Sequence, residues 1–253
     1  MKPYILAESH WDVLKNEKIE LAVLPWGATE AHNYHLPYAT DNIEADFLAA
    51  ESARLAWEKG AKVMVLPTIP YGVNTGQRDV YLDININPGT QLAILSDIID
   101  GLNHQKIFKL LILNSHGGNE FKPILRELGV KYPAMFLCVS NWYQHDVKSR
   151  YFEEAGDHAG EMETSLMLHL RPDLVLPREK WGTGKEKKNK IKAFSEGLVW
   201  TERKWTQVTE DTGIGNPRAA TKEKGQKYFR DLTQKLGDMM WELCKADVDD
   251  LYE

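Results

Sequence analysis

Four short runs of nearly continuous apolar residues constrain the fold more than anything else in this chain. They lie at 20–26, 62–67, 109–114 and 135–140. A strand with one wet face alternates apolar and polar residues, whereas a strand covered on both faces reads as an unbroken apolar run. The segments between the runs have helical period. Residues 42–58 place Ile43, Phe47, Ala50 and Leu55 roughly on one face, with Gly60 as a stop. Residues 90–104, capped by Thr90, turn Leu92, Leu95, Ile98, Ile99 and Leu102 inward, and a third helix is expected over 119–131. Strand–helix alternation of this kind predicts a mostly parallel sheet with helices on both faces, in one α/β domain spanning 1–253.

The remainder is less regular. Residues 68–90 form a long loop whose alternating part, 80–86, could make a small edge hairpin; loops of this length in compact domains are often functional. A helix is expected within 160–170. Residues 171–215 read as an irregular excursion rather than a linker. A final helix is expected over 217–246, with Pro217 in its first turn and Phe229, Leu232, Leu236, Met239, Met240 and Leu243 as its core stripe.

Composition narrows the function classes. The net charge of −6 and the lack of a basic block, apart from the short run 185–192, disfavour a nucleic-acid partner. No apolar run approaches the roughly 18 residues that a membrane span needs, and no signal-peptide apolar region opens the chain, so a cytoplasmic protein is expected. Cys138 and Cys244 are far apart and offer neither a disulfide framework nor a cysteine metal site.

Chemistry gathers in three segments. Residues 27–41, just past the first apolar run, hold Glu30, His32, His35 and Asp41. His116 lies in a glycine turn, Ser115-His116-Gly117-Gly118-Asn119, after the third run. The segment 158–165 holds His158, Glu161 and Glu163. Carboxylate and imidazole groups are what zinc and harder divalent ions take as ligands, and two ions can share a carboxylate. In a parallel sheet, groups just after strands collect at the carboxyl edge, which places Glu30, His32 and His116 together. Each segment alone has an ordinary structural explanation; Glu161 and Glu163, for instance, suit a helix start. Together they point to a metal site.

The same segments resemble the creatininase (creatinine amidohydrolase) family: Gly27-Ala28-Thr29-Glu30-Ala31-His32 with His35-Leu36-Pro37 and Thr40-Asp41; Asn114-Ser115-His116-Gly117-Gly118-Asn119; His158-Ala159-Gly160 with Glu163-Thr164-Ser165; and Gly215-Asn216-Pro217 with Ala220-Thr221 and Gly225. They recur in family order over about 20–240. The resemblance implies a three-layer α/β/α sandwich, a homohexamer, and a centre of two divalent metal ions (zinc, manganese or iron). It implies Glu30, His32, Asp41, His116 and Glu163 as ligands, with Asp41 bridging, and His158 as the catalytic histidine. His35 reads as a brace for the ligands rather than a ligand. Asn33 stands where the family usually has glycine, and Gly-Gly-Asn follows His116 where creatininase proper has Tyr-Glu. These departures, with the longer loop 71–90 and its Arg78 and Asp83, point to a member other than creatininase proper. The expected activity is hydrolysis of a C–N bond in a small cyclic amide, amidine or formamide, outside peptides. The alternative is hydrolysis of a C–C bond in a cyclic polyol ketone at the same metals. Either takes a small-molecule substrate.

Overall fold

The computed structural model describes residues 2–145, 148 and 150–252. The sheet and its helices follow one another as β1 (Leu21–Trp26), α1 (Thr40–Glu58), β2 (Val63–Val65), α2 (Pro88–His104), β3 (Lys109–Asn114), α3 (Phe121–Lys131) and β4 (Phe136–Asn141). The strands pair in the order β2-β1-β3-β4, all parallel, with Trp26 opposite Asn114 and Asn114 opposite Asn141. The apolar runs therefore do what their composition demands. Leu21 and Val23 face one core, shared with Leu48 and Ala53 of α1. Ala22, Leu24 and Trp26 face the other, against Leu95 and Ile99 of α2 and Phe121 and Leu128 of α3. Helices α4 (Glu161–Leu170) and α5 (Lys222–Lys245) complete the first layer, through Leu166, Tyr228, Leu232 and Leu236. The result is an α/β fold with a covered parallel sheet. Among the described residues no helix is long and apolar enough to cross a membrane.

Several boundaries and faces differ from expectation, each for a local reason. Helix α1 buries Asp41, Glu44, Ala45, Leu48, Ser52, Ala53 and Ala56, while Phe47 is exposed. Small side chains are needed there because α5 comes close: a Cβ on Gly237 would sit 2.9 Å from Leu55 Cβ and 3.0 Å from the Ser52 carbonyl oxygen. The large apolar residues were thus a poor guide to the inner face. Residues 80–86 form no hairpin, only the single bridges Thr29–Ile84 and Gly72–Asn85. Leu82 takes φ +65°, which breaks extended backbone, and Asp83 turns in to accept from the Ala31 N–H at 2.7 Å. Pro217 opens a separate 3-10 turn (Pro217–Ala219), and α5 starts only at Lys222, where the Thr221 hydroxyl accepts from the Lys224 N–H. An additional antiparallel pair, β5 (Gly156–His158) with β6 (Ile214–Gly215), carries His158.

The first turn of α5 packs on α4 at Gly225, where a Cβ would lie 1.9 Å from the Ser165 carbonyl oxygen. Overpacking of such a contact costs about 1–3 kcal/mol. The variant Gly225→Ala is expected to lower stability by that amount in denaturant melts; an unchanged midpoint would contradict this packing.

Candidate metal centre

The carboxyl ends of β1 and β3, the first turn of α1, the first turn of α4 and the end of β5 converge on one buried cluster. Glu30 and His32 lie in the loop after β1. The turn between His32 and His35 is held by Asn33 at φ +55°, a left-handed conformation that suits glycine and that asparagine also tolerates. The Asn33 side-chain oxygen accepts from the N–H groups of Tyr34 and Gly182. The substitution that departs from the family motif therefore preserves the turn. His116 follows β3, and its backbone is clamped by the Asn114 amide on both sides. A Cβ on Gly118 would meet the Val73 carbonyl oxygen at 2.2 Å and His116 Nε2 at 2.5 Å, so the second glycine of the turn is a steric requirement. Asp41 lies in the first turn of α1, where the helix dipole favours a carboxylate.

All three imidazoles of the cluster are oriented alike. His32 Nδ1 lies 3.1 Å from the Glu30 carbonyl oxygen, His116 Nε2 lies 3.0 Å from that of Val73, and His158 Nε2 lies 2.8 Å from that of Ala31. A carbonyl can only accept, so these nitrogens carry hydrogen. The opposite nitrogens face carboxylates. His32 Nε2 is 3.0 Å from Asp41 Oδ1; His116 Nδ1 is 2.9 Å from Glu30 Oε1 and 3.1 Å from Asp41 Oδ2; His158 Nδ1 is 3.8 Å from Glu30 Oε1. A lone pair aimed at a carboxylate oxygen is repulsive unless a cation, a proton or a metal, lies between them. Outer N–H to carbonyl and inner nitrogen to the centre is also how metal-bound histidines are held.

Three groups of side chains bring their donor atoms within 4.8 Å of one another: Glu30, His32 and His158; Glu30, Asp41 and His116; His32, Asp41 and Glu163. The five residues expected as ligands are thus together, and Glu30, His32 and Asp41 each belong to two groups. His158, expected as the catalytic residue, stands among them with the same ring geometry. His35 does not join the cluster. It meets Thr164 Oγ1 at 2.9 Å and stacks on Trp181 at 4.8 Å between ring centroids. Glu161 turns away to Lys224 and the backbone N–H groups of Glu153 and Glu154.

The electrostatics follow from burial. Desolvation disfavours a charged His32, but Asp41 and Glu30 outweigh it and raise the imidazole to about 10. The same contest raises His116 well above its ordinary value. Burial would lift Asp41 also, yet His32 and His116 hold it well below the usual carboxylate range. His158 goes the other way: burial, then the charge of His32, lowers it. Burial lifts Glu163 to about 7 against the pull of His32. Glu44, one turn along α1 from Asp41, is fully buried, and neither of its oxygens has a hydrogen-bond partner among the described residues. Burial and then the neighbouring Glu163 raise it well above the carboxylate range. Carboxylates crowded in a dry interior need positive charge, and the donor set fits divalent metal ions.

Two further residues complete the surroundings, Trp205 from the 181–205 excursion that offered tryptophans for a pocket and Gln77, which was not anticipated. The Gln77 amide donates to Glu30 Oε2. Trp205 packs edge-on against His158 at 4.8 Å. Glu44 could have been found by its spacing from Asp41; nothing in the irregular loop singled out Gln77. A cavity of about 520 Å³ opens over the cluster, with Glu30, His116, His158, Gln77, Arg203 and Trp205 in its wall.

The family model described as creatininase, creatinine amidohydrolase, matches residues 7–240. A crystal structure from Bacteroides fragilis, solved under the provisional name creatinine amidohydrolase, superposes with a TM-score of 0.93 at 41% identity, covering 100% of both chains. The mycofactocin precursor peptide peptidase of Mycolicibacterium smegmatis is 26% identical over 87% of this chain and 84% of its own length. Creatininase structures, one of zinc–zinc type and one with manganese, share the fold at 21% identity and a TM-score of 0.75, covering 97% of this chain and 100% of theirs.

Metal ligation needs an unprotonated ring nitrogen. Because His32 and His116 are raised in the metal-free protein, a metal entering near pH 7 must displace protons, and affinity should climb as pH rises from 7 toward 10. Calorimetric zinc titration in buffers of different ionisation enthalpy is expected to show net proton release; release of none would contradict the ring geometry.

Proposed function

The chain belongs to the creatinine amidohydrolase family, and from that premise we propose that it is a dinuclear metal-dependent hydrolase of an amide-type C–N bond. The observation that carries the reading is the common orientation of the three imidazoles, each tethered outward to a carbonyl and facing carboxylates inward. Glu30, His32, Asp41, His116 and Glu163 hold the ions in this reading. Asp41 would serve both, as its two oxygens face His32 and His116 separately. Zinc, manganese or iron suits such a mixed imidazole and carboxylate set. Bound there, two divalent ions supply an activated water and an electrophile for the substrate carbonyl.

The protein's own groups do the rest. His158 is oriented by Ala31 and Trp205, lines the cavity, and is the one histidine of the cluster whose environment favours the neutral ring. It can take a proton from the attacking water and give it to the leaving nitrogen. Gly117 and Gly118 also line the cavity, where backbone N–H groups would serve a developing oxyanion. His35 braces the helix that carries Glu163, through Thr164.

The names of the relatives, a peptide peptidase and a creatinine amidohydrolase, both denote amide hydrolysis. They support the C–N bond and remove the restriction to non-peptide substrates. Nothing among them supports cleavage of a C–C bond in a polyol ketone. A single cytoplasmic catalytic domain assembled as a homohexamer belongs to the same reading, on family grounds.

Two variants test the roles. Asp41→Ala is expected to lose at least one of the two ions by metal analysis; retention of both would refute the shared ligand. His158→Ala should keep its metal and lose turnover by about 10²–10⁴-fold, measured on whichever of creatinine, formamides, lactams and short peptides the metal-loaded protein hydrolyses. Near-normal activity in that variant would refute the proton-carrying role, and no metal-dependent turnover on any of these would refute the hydrolase.

A further inference from the structure

The loop between β2 and α2 places two side-chain amides in the wall of the cavity over the cluster, Asn74 and Gln77, each only 3% exposed. Their nitrogens are committed. Asn74 Nδ2 donates to the carbonyl oxygens of Ile84, at 3.1 Å, and Thr29, at 3.3 Å. Gln77 Nε2 donates to the Glu30 carboxylate. Rotating either amide by half a turn would set oxygen against oxygen, so these contacts fix which end is which. What remains is Asn74 Oδ1 and Gln77 Oε1, two buried acceptors without a hydrogen-bond partner among the described residues. Buried acceptors are nearly always satisfied, so two left open in one wall call for a partner.

Further acceptors stand in the same wall, beside the Gly117 and Gly118 backbone. Glu120, Asp157 and Glu202 contribute carboxylates, and the guanidinium of Arg203 is engaged by Asp157 at 3.0 Å and lies over the Trp205 ring. A ligand that meets the open amide oxygens brings donors.

We propose that Asn74 Oδ1 and Gln77 Oε1 form a substrate-recognition subsite that takes hydrogen bonds from N–H groups, so that the protein selects amides, ureas or amidines with free N–H beside the scissile bond over their N-alkylated counterparts. The proposal rests on the hydrolase reading for where the nitrogen lies, since a scissile C–N bond over the cluster brings its neighbouring N–H groups to this wall. Gln77 then serves two ends at once: its nitrogen steadies Glu30 and its oxygen reads the substrate. Asn74 ties the same wall to the loop that carries Glu30, through the Thr29 carbonyl.

The test is calorimetric binding of matched probes to the zinc-loaded protein: 2-pyrrolidinone, 2-imidazolidinone and hydantoin, each against its fully N-methylated form, with myo-inositol as a hydroxyl donor. At least one N–H probe is expected to bind about tenfold or more tightly than its methylated partner and than inositol. In Asn74→Leu and in Gln77→Met, each checked for native melting and metal content, affinity for that N–H probe should fall while affinity for the methylated form stays. A merely structural role would move both. Equal binding of methylated and unmethylated probes, tighter binding of inositol, no binding by any N–H probe, or parallel loss in the variants overturns the subsite. Turnover is read separately. A missing N–H preference with metal-dependent hydrolysis intact would sink only the subsite; a retained preference without metal-dependent hydrolysis of any substrate would sink only the hydrolase.

Discussion

The structure depends on one electrostatic requirement: carboxylates and imidazoles packed into a dry interior must enclose positive charge. Glu30, Asp41 and Glu44 are almost wholly buried, and Glu163 joins them from α4. Without cations between them such groups would repel and would rather be solvated. In the metal-free protein protons on His32 and His116 meet the need, which is why both rings hold protons far above their usual range. Metal ions of the right charge would meet it better, because each cation replaces a proton shared between a ring nitrogen and a carboxylate.

Much of the fold is the apparatus that holds this set in place. The parallel sheet delivers Glu30, His32 and His116 to one edge because β1 and β3 are neighbours in register. The close approaches at Gly72 and Gly118 leave no room for a side chain, so the His116 ring has one position. Small residues on the inner face of α1 let that helix descend far enough for Asp41 and Glu44 to reach the centre. The β5–β6 pair and the 171–215 excursion bring His158 and Trp205 to the cluster, while Trp181 stacks on His35 beside it. The departures from regular structure therefore lie where side chains must converge.

The sequence disclosed the sheet, its order of helices and the five ligand candidates, because each of those rests on local pattern: unbroken apolar runs, helical period, and donor groups just past strand ends. It was silent where the deciding interaction is distant. The inner face of α1 could not be read from Phe47, which is exposed, since α5 sets how closely that helix can be approached. The start of α5 at Lys222 followed from the Thr221 cap rather than from Pro217. Asn33 looked like a lost glycine, yet its φ of +55° and its contact to Gly182 keep the turn. Gln77 and Asn74 belong to a loop without periodicity, and only their three-dimensional setting gives them a role.

The central claim, that His32 and His116 each present one nitrogen to a cation position, has a direct spectroscopic reading. Long-range nitrogen–proton correlation spectra of the imidazoles in zinc-loaded protein should show His32 protonated at Nδ1, and His116 at Nε2. Their opposite nitrogens should move to metal-bound shifts as zinc is added. His158 should remain an Nε2–H ring throughout. Spectra in which zinc leaves the His32 and His116 nitrogens unchanged, or in which those rings keep hydrogen on the nitrogen facing Asp41 in the zinc-loaded protein, would contradict the account.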